Sequence, residues 1–203
     1  TIEPSVVKTI WMSATLERDW LNTMDFSQLA SSLDSFTLIQ EDLDYPGVLD
    51  RRSAVKVLSR ASTAAGDTRG LAGEILQKHQ AGTRTLVVLN TVRRAVELHS
   101  ALKRANKDIH LILVHSRFRP PDRKKIVEDL VKKPTATGTI VVSTQVVEAG
   151  VDISAKTLFT ELAPWSSLVQ RFGRCNRAGE YGEAKVYWID LPTGKRSLAP
   201  PYS

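Results

Sequence analysis

From Val55 onward, apolar runs of strand length alternate with amphipathic segments of helix length, and this alternation limits the chain to very few folds. VKVLS, RTLVVLN, DIHLILVHS, GTIVVST, KTLFTE and AKVYWID read as strands, most of them continuously apolar rather than alternating. Strands of that kind are buried on both faces. The intervening TRGLAGEILQKHQ, TVRRAVELHSALKRA, PPDRKKIVEDLVKK and WSSLVQRFGRCNR read as helices. Their expected buried faces are Leu71, Ile75 and Leu76, then Val92, Val96, Leu98 and Leu102, then Ile126, Leu130 and Val131. Gly82 is the expected stop of the first, and the prolines of the third suit a first helical turn. QVVEAG reads as a short helical turn. Repeated strand-helix-strand units give an α/β fold, a mainly parallel sheet with helices on both faces. Ligands gather at the carboxyl ends of such strands, where LNT, VHSRF and STQVVEAGVD fall, and SAT follows an earlier strand.

The first 54 residues are less regular. SVVKTIWMSAT reads as one buried strand, with Val6, Val7, Ile10 and Trp11 apolar. Residues 25–53 read as a connection with one short strand at Phe36–Ile39. Charge divides in the same place: residues 1–50 hold two Lys and Arg against nine Asp and Glu, whereas residues 84–133 hold thirteen against five. The basic stretch fits a polyanion such as nucleic acid or, equally, a solvated helix surface.

Several classes of protein are disfavoured. No apolar run approaches the roughly 18–20 residues that span a bilayer, and the start lacks a secretory signal, so the expectation is a cytoplasmic protein without a membrane partner. Cys175 is the only cysteine, and the four histidines have no neighbouring acid that would pair with them as metal ligands, so no metal site is expected. G-x-x-x-x-G-K-[ST] and G-x-S-x-G do not occur; TGKRS at 193–197 has the wrong glycine spacing for a phosphate loop. Cys175 is expected to be a packed thiol because no histidine base is placed beside it.

One cluster stands apart. QRFGRCNR, residues 170–177, holds Arg171, Arg174 and Arg177. If the stretch is helical, Arg174 and Arg177 share a face that can meet solvent, a phosphate backbone or a nucleotide triphosphate.

SAT at 13–15, STQVVEAGVD at 143–152 and QRFGRCNR, in that order, resemble motifs III, V and VI of superfamily 2 helicases. With LVHSRF at 113–118, the stretch VVSTQVVEAGVDISAKTLFTELAPWSSLVQRFGRCNR is most similar to the CRISPR-associated type I helicase-nuclease, family number three. The resemblance runs from about Val6 to Leu191 and is weakest across 17–80. It implies a RecA-like, P-loop NTPase-type three-layer fold: 1–16 the last strand and motif III of a first lobe, 17–54 a connection, 55–191 a whole second lobe, and 192–203 a tail.

The resemblance also implies roles. Arg174 and Arg177 match paired arginine fingers, and Gln170 a group that orients water or phosphate; Arg171 is left to the surface, to carboxylates or DNA. Gly150 and Asp152 match a nucleotide-binding pair, with Asp152 accepting from a ribose hydroxyl. Thr91, Arg117, Ser143 and Thr144 match contacts to a nucleic-acid backbone, and Arg119 is equally a solvated residue. Ser13, Ala14 and Thr15 match the coupling element. Glu148 is expected in an ion pair within the domain. The cofactors implied are ATP and Mg2+, with Mg2+ held by a first lobe whose phosphate loop, acidic motif and base are not among these residues. The chain is therefore expected to be inactive by itself. The implied partners are that first lobe, single-stranded nucleic acid and a CRISPR surveillance complex. Only the resemblance favours DNA over RNA. A second lobe of another superfamily 2 motor, or a non-catalytic nucleic-acid-binding module of the same fold, stays open.

Overall fold

The computed structural model describes residues 19, 22–30, 34, 39–43, 55–64, 66–149 and 151–191. The expected strand around Val6–Trp11, the motif Ser13, Ala14 and Thr15, most of the expected strand at 36–39, Gly150 and the tail 192–203 lie outside the described residues. The chain divides into two compact units, Thr1–Leu43 and Asp44–Ser203. The described part of the first contains two single-turn helices, α1 (Ser27–Ala30) and α2 (Gln40–Leu43).

The second unit follows the alternation read from the sequence: β1 (Val55–Arg60), α3 (Thr68–Lys78), β2 (Arg84–Val88), α4 (Val92–Ala105), β3 (His110–Val114), α5 (Pro120–Leu130), β4 (Thr139–Ser143), a 3-10 turn at Gln145–Val147, β5 (Thr157–Glu161), α6 (Trp165–Phe172) and β6 (Glu183–Ile189). The six strands form one sheet in the order β1-β6-β5-β2-β4-β3, and every pairing is parallel. All carboxyl ends therefore lie along one edge of the sheet.

Alternation within the strands sends side chains to two cores. Val87, Leu89, Ile140, Val142 and Phe159 meet Ile75, Ala95, Leu98 and Leu102 of α3 and α4. Leu86, Val88, Val141, Leu158 and Val186 meet Leu130, Val147, Ile153 and Cys175 on the opposite face. Each fully buried Leu or Ile stabilises this arrangement by about 1.5–3 kcal/mol. The helices thus cover both faces, as the sequence predicts.

The differences lie at element ends. The helix from Thr68 stops at Lys78, not at Gly82, which takes a positive φ of 70° in the turn before β2. Val96 is 40% exposed, while Ala95 supplies the buried position expected of it. Val131 is 60% exposed because α5 ends one residue earlier, at Leu130. The largest departure concerns QRFGRCNR: α6 ends at Phe172, so Arg174 and Arg177 share no helical face. Their positions come from a different device, a parallel bridge between Cys175 and Ala155.

A buried carboxylate fixes the loop after β1. Glu74 of α3 accepts from the amides of Ser62 (2.8 Å) and Thr63 (2.9 Å) and from the Thr63 hydroxyl (2.6 Å). Burial pushes its carboxyl upward, but these three bonds and Lys78 outweigh that and hold it below the ordinary value.

Candidate functional site

The carboxyl edge of the sheet gathers the loops that carry the predicted residues. After β2 the chain passes Asn90 to Thr91, the N-cap of α4, whose hydroxyl accepts from the Arg94 amide at 3.3 Å. A helix start leaves amides without partners, and the capping hydroxyl keeps its own proton to donate. Thr91 is half-buried, so a phosphate oxygen can reach that corner.

After β4 the picture differs from expectation. Ser143 is fully buried and its hydroxyl donates to the Thr144 carbonyl at 2.9 Å, so it shapes the loop instead of reaching toward a backbone. Thr144 is 2% exposed, and its amide donates to Val114 at 3.3 Å. Arg117, after β3, is exposed, and its amide donates to His115 Nδ1 at 3.2 Å. That bond places the proton of neutral His115 on Nε2. Burial, with Arg117 adding to it, holds this imidazole below its ordinary value. The ring stacks on Phe118 with centroids 4.2 Å apart, which gives the Arg117 loop a fixed base.

Arg171 overturns its expectation. Its side chain is fully buried rather than on the surface: Nε donates to Glu148 Oε1 at 2.8 Å, and Nη1 to Asn90 Oδ1 (3.1 Å), Thr160 Oγ1 (3.0 Å) and the Glu161 carbonyl (3.1 Å). The ion pair expected of Glu148 is present, with Arg171 as its partner. Glu161, also fully buried, meets Arg94 at 2.6 Å and accepts from the Asn90 amide at 2.7 Å. Burial pushes its carboxyl upward, against Arg94, the Asn90 amide and Arg171. A buried ion pair is stabilising when its remaining donors and acceptors are met; Asn90 and Thr160 do this for Arg171, whereas Glu161 Oε1 has the Arg94 contact and no hydrogen bond among the described residues.

Arg174 and Arg177 lie just beyond. Gly173 ends α6; a Cβ there would come 3.3 Å from the Gln170 carbonyl. The turn is then pinned on both sides, Ala155 donating to the Arg174 carbonyl (3.0 Å) and Asn176 to the Ala155 carbonyl (2.8 Å). Asn176 takes a φ of 49°, a left-handed conformation that Asn tolerates. Its side chain exchanges two bonds with the backbone of Tyr181, at 2.6 and 3.0 Å.

Arg174 is 7% exposed; Nη2 donates to the Glu148 carbonyl at 2.8 Å, and its buried Nε has no hydrogen-bond partner among the described residues. Burial and then Arg177 lower the affinity of this guanidinium for its proton, with Asp152 opposing them. A partly desolvated cation beside a second cation is stabilised by an incoming anion. Arg177 is 48% exposed and pairs with Asp152, itself 83% exposed, at 2.7 Å. The structure thus brings Arg174, Arg177 and Asp152 together. Gln170 is half-buried on α6. A cleft of about 740 Å³, lined by Lys56, Arg84, Ser154 and Asn176, opens beside the Arg177–Asp152 pair.

Sequence reasoning missed Asn90, Arg94 and Glu161 as members of one network. The available signal was polarity at strand ends: Glu161 closes an apolar strand, and Asn90 follows RTLVVL. Among the described residues no group of three or more His, Cys, Asp or Glu can hold a metal ion. No helix among them is long and apolar enough to cross a membrane.

The six-stranded, all-parallel sheet with helices on both faces has the RecA-like fold seen in helicase carboxyl-terminal lobes. The same fold occurs in the C-terminal domain of the DEAD-box protein Dbp5, at a TM-score of 0.53 and 16% identity over 70% of this chain and 79% of that one. Residues 81–180 match the family model described as CRISPR-associated nuclease/helicase Cas3, C-terminal. The CRISPR-associated helicase Cas3 of Thermoproteus tenax is 33% identical over 110 residues, 53% of this chain and 19% of that protein. The T. fusca Cas3 structure with ADP shares the fold at a TM-score of 0.60 and 24% identity, over 73% of this chain and 19% of that one. The chain spans about a fifth of the length of these Cas3 relatives.

Proposed function

We propose that this chain is the second motor lobe of an ATP-dependent helicase or translocase of type I CRISPR interference. In this reading, residues 1–16 belong to a first RecA-like lobe, 17–54 connect, 55–191 form the second lobe and 192–203 are a tail. The observation that carries it is the neighbouring guanidinium groups of Arg174 and Arg177, the first desolvated with an Nε that has no hydrogen-bond partner among the described residues, beside Asp152.

Those residues suit a nucleotide. ATP supplies a phosphoryl group whose negative charge spreads during transfer. Arg174 and Arg177 stabilise that charge as arginine fingers, a contribution of about 10³–10⁵ in rate. Asp152 exchanges Arg177 for a ribose hydroxyl, Gly150 lets the backbone approach, and Gln170 orients phosphate or water. In this reading Mg2+ is held by the first lobe. Thr91 and Arg117, with the Thr144 loop, grip the backbone of a single strand. The family favours DNA, a cytoplasmic setting and a surveillance complex as partner.

The chain alone hydrolyses ATP at the background rate and gains turnover when joined to a first lobe; robust hydrolysis by the isolated chain defeats this reading. In the joined protein, Arg174→Ala and Arg177→Ala abolish turnover while single-stranded DNA binding persists. Loss of binding and nothing else would instead make the arginines a basic patch on a non-catalytic module.

A further inference from the structure

We infer that Lys56, on the first strand of the sheet, contacts a phosphate oxyanion in the cleft beside Arg177. This residue lies outside every motif read from the sequence. The inference rests on the function proposed above only where the oxyanion belongs to ATP; free inorganic phosphate carries the same chemistry. At about 740 Å³ the cleft has the size of an ordinary small-molecule pocket. Lys56 and Arg84 stand at the amino ends of β1 and β2, and Ser154 and Glu180 shortly precede β5 and β6, so the cleft opens at the amino edge of the sheet. Thr91, Arg117 and Thr144 follow strands at the opposite edge, which leaves the cleft to a ligand other than the tracked strand.

The charges that line the cleft are unevenly matched. Arg177 engages Asp152 at 2.7 Å, and Glu180 accepts from the Ser154 hydroxyl at 2.6 Å. The guanidinium of Arg84, a residue 7% exposed, donates to the carbonyls of Ser154 (3.1 Å) and Lys132 (2.5 Å), and its buried Nε has no hydrogen-bond partner among the described residues. Burial lowers its affinity for its proton, with Tyr181 and Glu180 opposing. The Lys56 ammonium has three protons to donate. Its one hydrogen bond among the described residues, at 3.1 Å, is to the Phe172 carbonyl at the end of α6. Lys56 and Arg84 therefore bond to neutral carbonyls where a carboxylate would offset their charge, and a multiply charged oxyanion supplies what the chain does not. Arg84, so deeply buried, acts through its charge rather than by contact. Lys56 is half-buried and lies against the arginine motif: it bonds Phe172, and its charge opposes the rise of the Cys175 thiol. An oxyanion that meets Lys56 in this cleft is thus also beside Arg177.

The test uses the joined two-lobe protein, with ATP kinetics and with thermal melting in inorganic phosphate against chloride of equal ionic strength. Lys56→Gln keeps an amide to donate to the Phe172 carbonyl and removes the charge; on a half-exposed edge strand it leaves the fold intact, which melting in chloride checks. The variant raises KM for ATP by about tenfold with kcat within about threefold, or abolishes the rise in melting temperature that phosphate gives the parent. The first result assigns the oxyanion to bound nucleotide and the second to free phosphate. Lys56→Arg restores the charge and recovers whichever value was lost. A merely structural role, exercised through the Phe172 bond, makes Lys56→Gln match the parent in both measurements, and that outcome overturns the inference. So does a loss that Lys56→Arg fails to recover. A joined protein without ATP turnover defeats the proposed function, yet melting needs no turnover and then decides this inference by itself: phosphate that leaves the parent's melting temperature unchanged ends it.

Discussion

Two arginines six residues apart, Arg171 and Arg177, belong to one short motif and live under opposite physical conditions. Arg171 is sealed between α6 and the ends of β2 and β5, with every partner supplied by the chain. Arg177 sits half in solvent with one exposed carboxylate beside it, on the lip of a cleft. The first arrangement spends its hydrogen bonds on architecture. The second leaves donors and charge for something that arrives later. Arg174 stands between them, desolvated like Arg171 and incompletely paired.

The sharpest way to break this contrast is to measure stability and turnover on the same variants. Arg177→Ala in the joined protein lowers ATP turnover by about 10³-fold, yet its exposed ion pair contributes only about 0–1 kcal/mol to folding. Steady-state hydrolysis and urea denaturation check the two halves. A stability loss above that range would make Arg177 a structural residue after all.

The converse expectation is that Arg171→Ala destabilises the fold by about 3–5 kcal/mol, because Glu148 and the polar ends of β2 and β5 lose their counterpart. Urea denaturation of the chain reads it directly. A cost comparable to that of Arg177→Ala would erase the distinction.

Glu74 sharpens the comparison with a buried carboxylate that relies first on amides and a hydroxyl, with Lys78 as a smaller contribution. Glu74→Gln costs about 1–3 kcal/mol at neutral pH. Because the folded value of Glu74 lies below the ordinary 4.5, its stabilisation is present in full above that pH. It is lost as pH falls through the lower folded value, so the gap between parent and variant closes in acid. A gap independent of pH between neutral and strongly acidic conditions would show that the charge of Glu74 contributes nothing.

The smallest effect concerns Cys175, which lies two residues from Arg177 and is fully buried. Burial pushes its thiol up to about 11, with Lys56 opposing. Alkylation at mildly alkaline pH should proceed only in denaturant, as mass spectrometry would detect. Rapid labelling of the folded chain would mean that the turn carrying Arg174 and Arg177 opens readily.

The order and type of nearly every element in the second unit were legible from the sequence, because continuous apolar strands and helical spacing are local properties. Chain reversals set by a single residue were harder to place. Val131 continues an apolar pattern that the helix itself does not continue, and Gly82 serves a turn four residues beyond the actual helix end.

What the sequence determined alone was the parallel α/β framework and the membership of Arg174, Arg177 and Asp152 in one set of motifs. Only the tertiary structure decided what each cation does. Arg171 and Arg177 are the same residue type in the same eight residues, and nothing local distinguishes them. The distinction arises because α6 ends at Phe172. The Cys175–Ala155 bridge then turns the chain, sending one guanidinium among Asn90, Glu148, Thr160 and Glu161 and another out beside Asp152. Those partners come from loops as far as 81 residues away in the chain, and the energy of burying a charge depends on them entirely.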